Sequence, residues 1–367
     1  MRLALGLLLL AATISLSPAA ARPEENGAGH YFPGALSSAF DMLPANSVDP
    51  YPGYTLGYSN ISTYYHGSNN AVRANATSYT NTSVFLFQFP GRISILPGEP
   101  QYSVAFAVPY TWLKVHAPVL TSKGIFPAKD TDNGFGDVEM FPIMLNWAKP
   151  VKNEDYPSVL QFQAEFGVFA PTGNFESGTL ANIGRNYWTF EPSAVASYLV
   201  APLNTRPYSF QFTTSAGFDF NTKNGATHYQ TGDEFHLDGT LAAYRLMVGE
   251  EGQGTAFAGA GVSGFFYQQI TGDSGRGAIL GSFQAMTTGV GPDLSYIYQN
   301  KAGDLTMGGE VKWLPELSVS NRLSGNIVWL KFVIAWGTPS EKHLEAAFAP
   351  GAAATSNLRA LSVIPSL

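Results

Sequence analysis

The chain has 367 residues and a mild formal net charge of -7, which fits two ordinary soluble domains or one large β structure. Charged residues make up only 13% of the chain, against about 25% in typical soluble domains, while aromatic residues also reach 13%. Lys and Arg never cluster into the basic surface that nucleic-acid binding requires, so nucleic acid is excluded as a partner.

The first 21 residues have the pattern of a secretory signal peptide. Arg2 gives a basic start, an apolar run follows, and the small residues of 18–21 fit a cleavage site. The apolar run stops near Ser15 and is shorter than the roughly 18 residues that a membrane-spanning helix needs. We therefore predict that residues 1–21 direct export and are cleaved. The chain has no Cys, so we expect neither disulfides nor thiolate metal sites.

From residue 53 onwards, apolar and polar residues alternate with a period of two, which indicates strands with one apolar face. In 161–168 the apolar residues stand at even positions, and 208–213 repeats this parity. Turn-forming residues such as Gly, Asn, Asp and Pro separate the alternating segments. About twelve strands are predicted, at 53–65, 82–93, 102–115, 137–147, 161–168, 188–200, 208–213, 235–241, 255–269, 283–299, 304–317 and 326–336.

The lengths of these segments favour a membrane barrel over a soluble sandwich. Many exceed the roughly five to six residues of a common soluble strand and match the roughly nine to eleven that cross a bilayer at a tilt. Aromatic residues stand at segment ends, among them Trp147, Trp188 and Trp336, as in the aromatic girdles of barrels. We predict an all-β fold, a single transmembrane antiparallel β-barrel at 53–336, in a bacterial outer membrane. A β-sandwich with aromatic residues in its core is the alternative.

Two irregular segments flank the predicted barrel. Residues 22–52 are rich in Gly and Pro and fit either a plug inside the barrel or a periplasmic segment. Residues 337–367 follow the last predicted strand and are rich in Ala, Pro and Ser. We predict a flexible C-terminal tail there.

Parity also predicts which side chains face the lumen. Because twelve strands lie between packed eight-stranded barrels and open porins, the lumen should be narrow and should take one small ring. The predicted inward-facing side chains are polar, with more acids than bases: Gln161, Gln163, Glu165, Glu191, Gln211, Thr213, His236, Asp238, Glu310, Lys312 and Lys331. They either contact a solute or hydrogen-bond one another and fill the barrel.

A long polar loop separates two aromatic-rich strands after residue 170. Loops of this length carry a gate or a recognition surface more often than an idle connection. We predict an extracellular gating loop before the chain re-enters the membrane at Trp188, with candidate gating residues Pro171, Gly173, Phe175, Gly178 and Arg185.

Two short motifs suggest chemistry but are better interpreted as turns. The sequence GDSG at 272–275 matches the surroundings of a serine nucleophile, yet its Gly and Thr neighbours are typical of a turn. The sequence DTDNGFGD at 130–137 lacks the oxygen ligands that a Ca²⁺ loop needs at its fifth and twelfth positions, and it predicts a solvated hairpin turn. We expect no catalytic residue, metal ligand or cofactor. A barrel hydrolase acting through Ser274 is kept as an alternative.

Five blocks of sequence carry a family resemblance over nearly the whole mature chain. They are ENGAGHYFPG at 25–34, GFGDVEMFPIMLNW at 134–147, PTGNFESGTLANIGRNYWTFEP at 171–192, YQTGDEFHLD at 229–238 and YQQITGDSGRGAILGSF at 267–283. With them the chain resembles bacterial outer-membrane proteins associated with the meta-cleavage pathway of phenol degradation. The resemblance implies a barrel for passive uptake of small aromatic or other hydrophobic solutes, in contact with membrane lipid and lipopolysaccharide. A structural or binding barrel that transports nothing is the alternative.

Overall fold

The computed structural model describes residues 25, 29–38, 40–41, 53–70, 73–121, 124–151, 158–200, 208–247, 254–300 and 304–337. The predicted signal peptide at 1–21 and the predicted tail beyond Gly337 lie outside the described residues. None of the described residues belongs to a helix long and apolar enough to cross a membrane. The strands are β1 (Thr55–Asn69), β2 (Ala74–Gln88), β3 (Gln101–Thr121), β4 (Gly124–Phe135), β5 (Val138–Val151), β6 (Ser158–Ala170), β7 (Thr189–Val200), β8 (Tyr208–Asn221), β9 (Glu234–Met247), β10 (Thr255–Gln269), β11 (Met286–Gln299), β12 (Leu305–Ser320) and β13 (Ser324–Gly337).

Twelve of these strands close into one antiparallel barrel, as predicted. The first strand, β1, pairs with β13 on one side and with β2 on the other. From β5 to β13 each strand pairs with the next one in sequence, and β3 joins β2 to β5 to complete the ring. Because the ring is closed, its backbone N–H and C=O groups find partners without an open sheet edge, which a lipid environment demands.

Side chains alternate across the barrel wall in the reverse sense of a soluble protein. In β8, the side chains of Phe210, Phe212 and Phe218 are exposed, whereas those of Gln211 and Thr213 are buried. In this strand apolar side chains thus face outwards and polar side chains face inwards. This polarity fits a barrel whose outer surface meets lipid.

The strand β4 lies outside the ring and was missed by the sequence analysis. It pairs only with residues 110–121 of β3. The prediction of a hairpin turn at 130–137 was wrong, because β4 continues to Phe135 and only Gly136 and Asp137 separate it from β5, which pairs with the same strand β3. The Asp, Asn and Gly residues of this stretch usually mark turns, but here β3 is 21 residues long and offers them backbone partners.

The described part of the N-terminal segment lies inside the barrel, which is one of the two alternatives that the sequence left open. Phe40 is 1% exposed and packs with Tyr244, Phe257 and Ile297 of the barrel wall. Gly34 has φ 79°, and a Cβ there would lie 2.1 Å from Leu314 Cδ1, so only glycine fits this turn. The segment is therefore built into the interior of the barrel.

Candidate functional site

A cavity of about 360 Å³ lies in the lumen. Its volume falls in the range of roughly 300–1,000 Å³ that is typical of small-ligand sites. The inner faces of β1, β2 and β3 form much of its wall, the N-terminal segment forms another side, and the loop before β7 closes a third. Its apolar lining includes Ile61, Leu86, Ala107, Leu113, Phe141 and Met144.

Charge is unevenly distributed around the cavity. The polar groups on β1 and β2 are uncharged hydroxyls such as those of Ser59, Thr63 and Thr80. Carboxylates instead line the cavity from β5, β6 and β7, where Glu139, Glu165 and Glu191 stand. An aromatic solute would therefore meet an apolar wall with hydroxyls on one side and an acidic wall on the other.

Asp137 lies between β4 and β5 and contacts both the N-terminal segment and the loop before β7. Its carboxylate accepts hydrogen bonds from the backbone N–H groups of Gly173 at 2.8 Å and Arg185 at 2.7 Å. His30 Nε2 of the N-terminal segment lies 2.9 Å from Asp137 Oδ2. Burial lowers the pKa of His30, although Asp137 acts in the opposite direction. Burial also acts to raise the pKa of Asp137, but the hydrogen bonds from His30 and the two amides hold it below its ordinary value.

The candidate gating loop folds partly into the lumen. Gly173 packs against Gly184, where a Cβ on Gly173 would lie 2.8 Å from Gly184 Cα. Arg185 Nε donates to the carbonyl of Gly29 at 3.3 Å, and Leu180 and Ile183 line the cavity. Pro171 and Phe175 are half-buried, and Gly178 is exposed with φ 94°. The loop thus has an outer exposed part and an inner part against the cavity, and its gating role remains a prediction.

Most of the predicted inward-facing charges contact the N-terminal segment and not the cavity. Asp238 Oδ1 accepts a 2.5 Å hydrogen bond from the hydroxyl of Tyr31. Burial, with Asp238 beside it, raises the pKa of Tyr31 well above its ordinary value. The phenol therefore stays protonated and donates a hydrogen bond to Asp238. Lys331 Nζ lies 2.5 Å from Asp41 Oδ1 and 3.7 Å from Glu310 Oε2. These groups hold the segment against β9, β12 and β13.

The remaining predicted residues line the cavity, contact the N-terminal segment or occupy the inner barrel wall. Glu165 and Glu191 line the cavity. Lys312 Nζ donates to the carbonyl of Leu36 at 3.4 Å. Buried positions on the inner wall are occupied by Gln161, Gln163, Gln211, Thr213 and His236.

Sequence reasoning missed the apolar wall of the cavity. It identified strands over much of β1, β2 and β3 but drew its inward-facing set from β6 onwards. The same parity was present: in β1, Ser59, Ile61 and Thr63 stand two residues apart and face inwards. Because the inward-facing positions of β1 hold Ile as well as Ser and Thr, they do not differ in polarity from the outward-facing positions as a set. Parity is therefore hard to recognise there.

Ser274 does not stand in a hydrolytic arrangement. It is exposed, and its backbone N–H and C=O pair with Gln230 at 2.9 Å each. Among the described residues no hydrogen bond joins its hydroxyl to a histidine. Ser274 forms an isolated β-bridge with Gln230, and the turn lies just after it at residues 276–277.

The family described as "MetA-pathway of phenol degradation" matches residues 62–332 of the chain. The match covers well over half of the sequence and spans the barrel from β1 to β13. The chain therefore belongs to this family. No curated protein matches the sequence significantly.

Two solved structures are similar to this chain at low sequence identity. An outer membrane channel from Pseudomonas putida F1 is 14% identical, with a TM-score of 0.50 over 84% of this chain and 100% of that chain. The transport unit of the autotransporter AIDA-I from Escherichia coli is 9% identical, with a TM-score of 0.45 over 81% of this chain and 93% of that one. The first of these likenesses agrees with the barrel architecture.

Proposed function

We propose that the protein is an outer-membrane channel for passive uptake of small aromatic or other hydrophobic compounds that feed a catabolic pathway. The observation that carries this proposal is the cavity of about 360 Å³ with its apolar wall on β1, β2 and β3. Burying apolar surface is worth roughly 25 cal/mol per Å², so a bare ring gains free energy there that a polar pore would not provide. The family's association with phenol degradation supports the choice of solute class.

Two features support the location. The barrel exposes large apolar side chains along its outer face, among them Phe210, Leu241 and Leu294. The first 21 residues have the pattern of an export signal. A chain that is exported and carries a lipid-compatible barrel fits the outer membrane, whose lipopolysaccharide leaflet slows apolar solutes.

The test narrows the cavity without touching the barrel surface. In Ala107→Phe a ring replaces the methyl group of a buried cavity residue on β3, whereas in Val108→Phe the next residue places the same ring on the outer face. Influx of toluene-sized aromatics and of a small sugar is measured in vesicles with lipopolysaccharide in the outer leaflet. We expect the wild type and Val108→Phe to pass aromatics faster than sugar, and Ala107→Phe to lose most of that influx.

Three results would contradict the proposal. Equal influx of aromatics and sugar in the wild type would mean a general pore for small solutes. No influx of either would favour a structural or binding barrel. Unchanged aromatic influx in a correctly folded Ala107→Phe would show that the cavity is not on the route.

The loop before β7 is proposed as the gate. Deletion of residues 175–179 removes its exposed outer part and leaves Leu180 and Ile183 at the cavity. We expect a change in aromatic flux or in the ratio of aromatic to sugar flux. Unchanged flux and selectivity would mean that this part of the loop does not gate.

A further inference from the structure

Three potential metal ligands meet on the inner wall below the N-terminal segment. Glu191 on β7, Asp219 on β8 and His236 on β9 each offer one ligand atom, and these atoms lie within 4.8 Å of one another. His236 Nε2 is 3.4 Å from Glu191 Oε1 and 3.7 Å from Asp219 Oδ1. Asp219 and His236 are 0% exposed. A cluster of this kind on three neighbouring strands leaves no linear motif, which explains why the sequence showed none.

The hydrogen bonding of this cluster is incomplete. Among the described residues, no group lies in hydrogen-bonding geometry to either carboxylate oxygen of Asp219 or to either ring nitrogen of His236. A buried polar group without a partner destabilises the folded protein, and more so when it is charged. If His236 were an imidazolium donating to these carboxylates, the contacts should shorten to about 2.7–2.9 Å. The observed separations of 3.4 and 3.7 Å are within the reach of an ion pair but longer than such hydrogen bonds, so an ion pair would leave the hydrogen bonding of these groups incomplete.

The separations suit ligands that share one metal ion. Bonds of about 2.0–2.2 Å from Zn²⁺ to nitrogen and oxygen place the ligand atoms of a tetrahedral site roughly 3.3–3.6 Å apart. One imidazole and two carboxylates form a donor set for Zn²⁺ and related ions, whereas Mg²⁺ and Ca²⁺ prefer oxygen ligands alone. We propose that Glu191, Asp219 and His236 bind one divalent transition-metal ion of the Zn²⁺ type.

The surroundings admit the imidazole between two strands and hold it in place. Gly217 stands opposite His236 in the sheet, and a Cβ there would lie 2.5 Å from His236 Nε2 and 3.1 Å from Glu191 Oε1. The ring of Tyr31 stacks on that of His236 with centroids 4.2 Å apart, which restrains the orientation of the ligand. Glu191 also lines the cavity, whereas Asp219 and His236 lie behind it. The ion would neutralise carboxylates and cross-link three strands.

The test uses the refolded mature protein, freed of metal with a chelator. Zn²⁺ binding is measured by calorimetry, and Co²⁺ is added as a probe because tetrahedral Co²⁺ absorbs visible light intensely. Ligand variants are Glu191→Gln, Asp219→Asn and His236→Gln. The matched control is Asp293→Asn, which alters a buried carboxylate that accepts a 2.7 Å hydrogen bond from Ser263 and lies outside the cluster. Heat-modifiable migration in gels checks that each variant is folded.

We expect one Zn²⁺ per chain in the wild type and in Asp293→Asn, with a tetrahedral Co²⁺ spectrum. Each ligand variant should weaken binding about tenfold or more, since even outer-shell changes commonly cost that much. If a ligand variant does not fold, Gly217→Ala serves in its place, because its added methyl group occupies the position of the imidazole. A folded wild type that binds neither ion at millimolar concentration would overturn the proposal. Ligand variants that bind as the wild type does would also overturn it.

Discussion

The two halves of the lumen differ in what fills them. On the side of β9 to β13, buried Asp238 and Lys331 contact the N-terminal segment, and Glu310 lies beside Lys331. On the side of β1 to β3, hydroxyl and aliphatic side chains surround the cavity. Charged side chains that point into a barrel can thus serve to hold an internal segment, while the wall available to an apolar solute is the uncharged one.

Removal of Lys331 should disturb the packed half most. Its ammonium group is 1% exposed and lies between Asp41 and Glu310, so Lys331→Met leaves the Asp41 carboxylate without its cation, while Lys312 Nζ still lies 3.6 Å from Glu310 Oε2. Breaking a buried pair in this way costs about 3–5 kcal/mol. We expect the free energy of unfolding in urea to fall by that amount, and the exposed Lys149→Met to leave it nearly unchanged. A small effect at Lys331 would mean that charge does not hold the packed half together.

Tyr31→Phe should have a smaller effect on the same half. It removes the 2.5 Å hydrogen bond to Asp238, while the backbone N–H of Leu36 still donates to that carboxylate at 3.1 Å. A hydrogen bond to a charged group contributes roughly 1.5–3 kcal/mol. The free energy of unfolding should fall within that range in Tyr31→Phe and hardly change in Tyr64→Phe, an exposed residue on the outer face. Equal values for the two variants would contradict the contact.

Acidification should lower the free energy of unfolding through His30, which joins the N-terminal segment to Asp137. Burial lowers the pKa of His30 in the folded protein below its ordinary value of 6.5, so below about pH 6.5 the unfolded chain binds the extra proton. Stability contributed by neutral His30 is therefore present above that pH and falls as the pH drops, by at most about 1.4 kcal/mol per pH unit. Asp137, with its lowered pKa, adds a loss only at more acidic pH. His30→Gln should flatten the slope of unfolding free energy between pH 7 and 5. An unchanged slope would count against the buried neutral imidazole.

Ser274→Ala should have the smallest effect, because it touches neither half. The residue is exposed and pairs with Gln230 only through its backbone. Surface changes of this kind usually alter stability by less than about 0.5 kcal/mol. Aromatic influx and stability should match the wild type. A hydrolase activity in purified wild type that disappears in Ser274→Ala would revive the enzymatic alternative.

The barrel could be predicted from sequence because alternation is a local property. The predicted segment at 255–269 has the same bounds as β10, and most other strands begin or end within a few residues of their predictions. The start of β2 at residue 74 was missed because the Asn, Thr and Ser of 74–81 do not alternate in polarity. The cavity and the proposed metal ligands depend on which strands face each other around the ring and on an N-terminal segment inside it. Neither the ring of strands nor the position of the N-terminal segment is a local property, so the sequence alone did not predict the cavity or the proposed metal ligands.

The pairing of β4 with β3 alone leaves one side of β4 without a neighbouring strand in the described structure. An open strand edge can pair with another chain and lead to aggregation. Here the loop before β7 lies against β4. The side-chain carboxylate of Asp130 accepts hydrogen bonds from the backbone N–H groups of Leu180 and Ala181 at 2.9 and 3.0 Å, and the backbone carbonyl of Phe135 accepts one from the N–H of Asn174 at 3.2 Å. The same loop that borders the cavity therefore also lies against β4, where it hinders another chain from pairing with this strand.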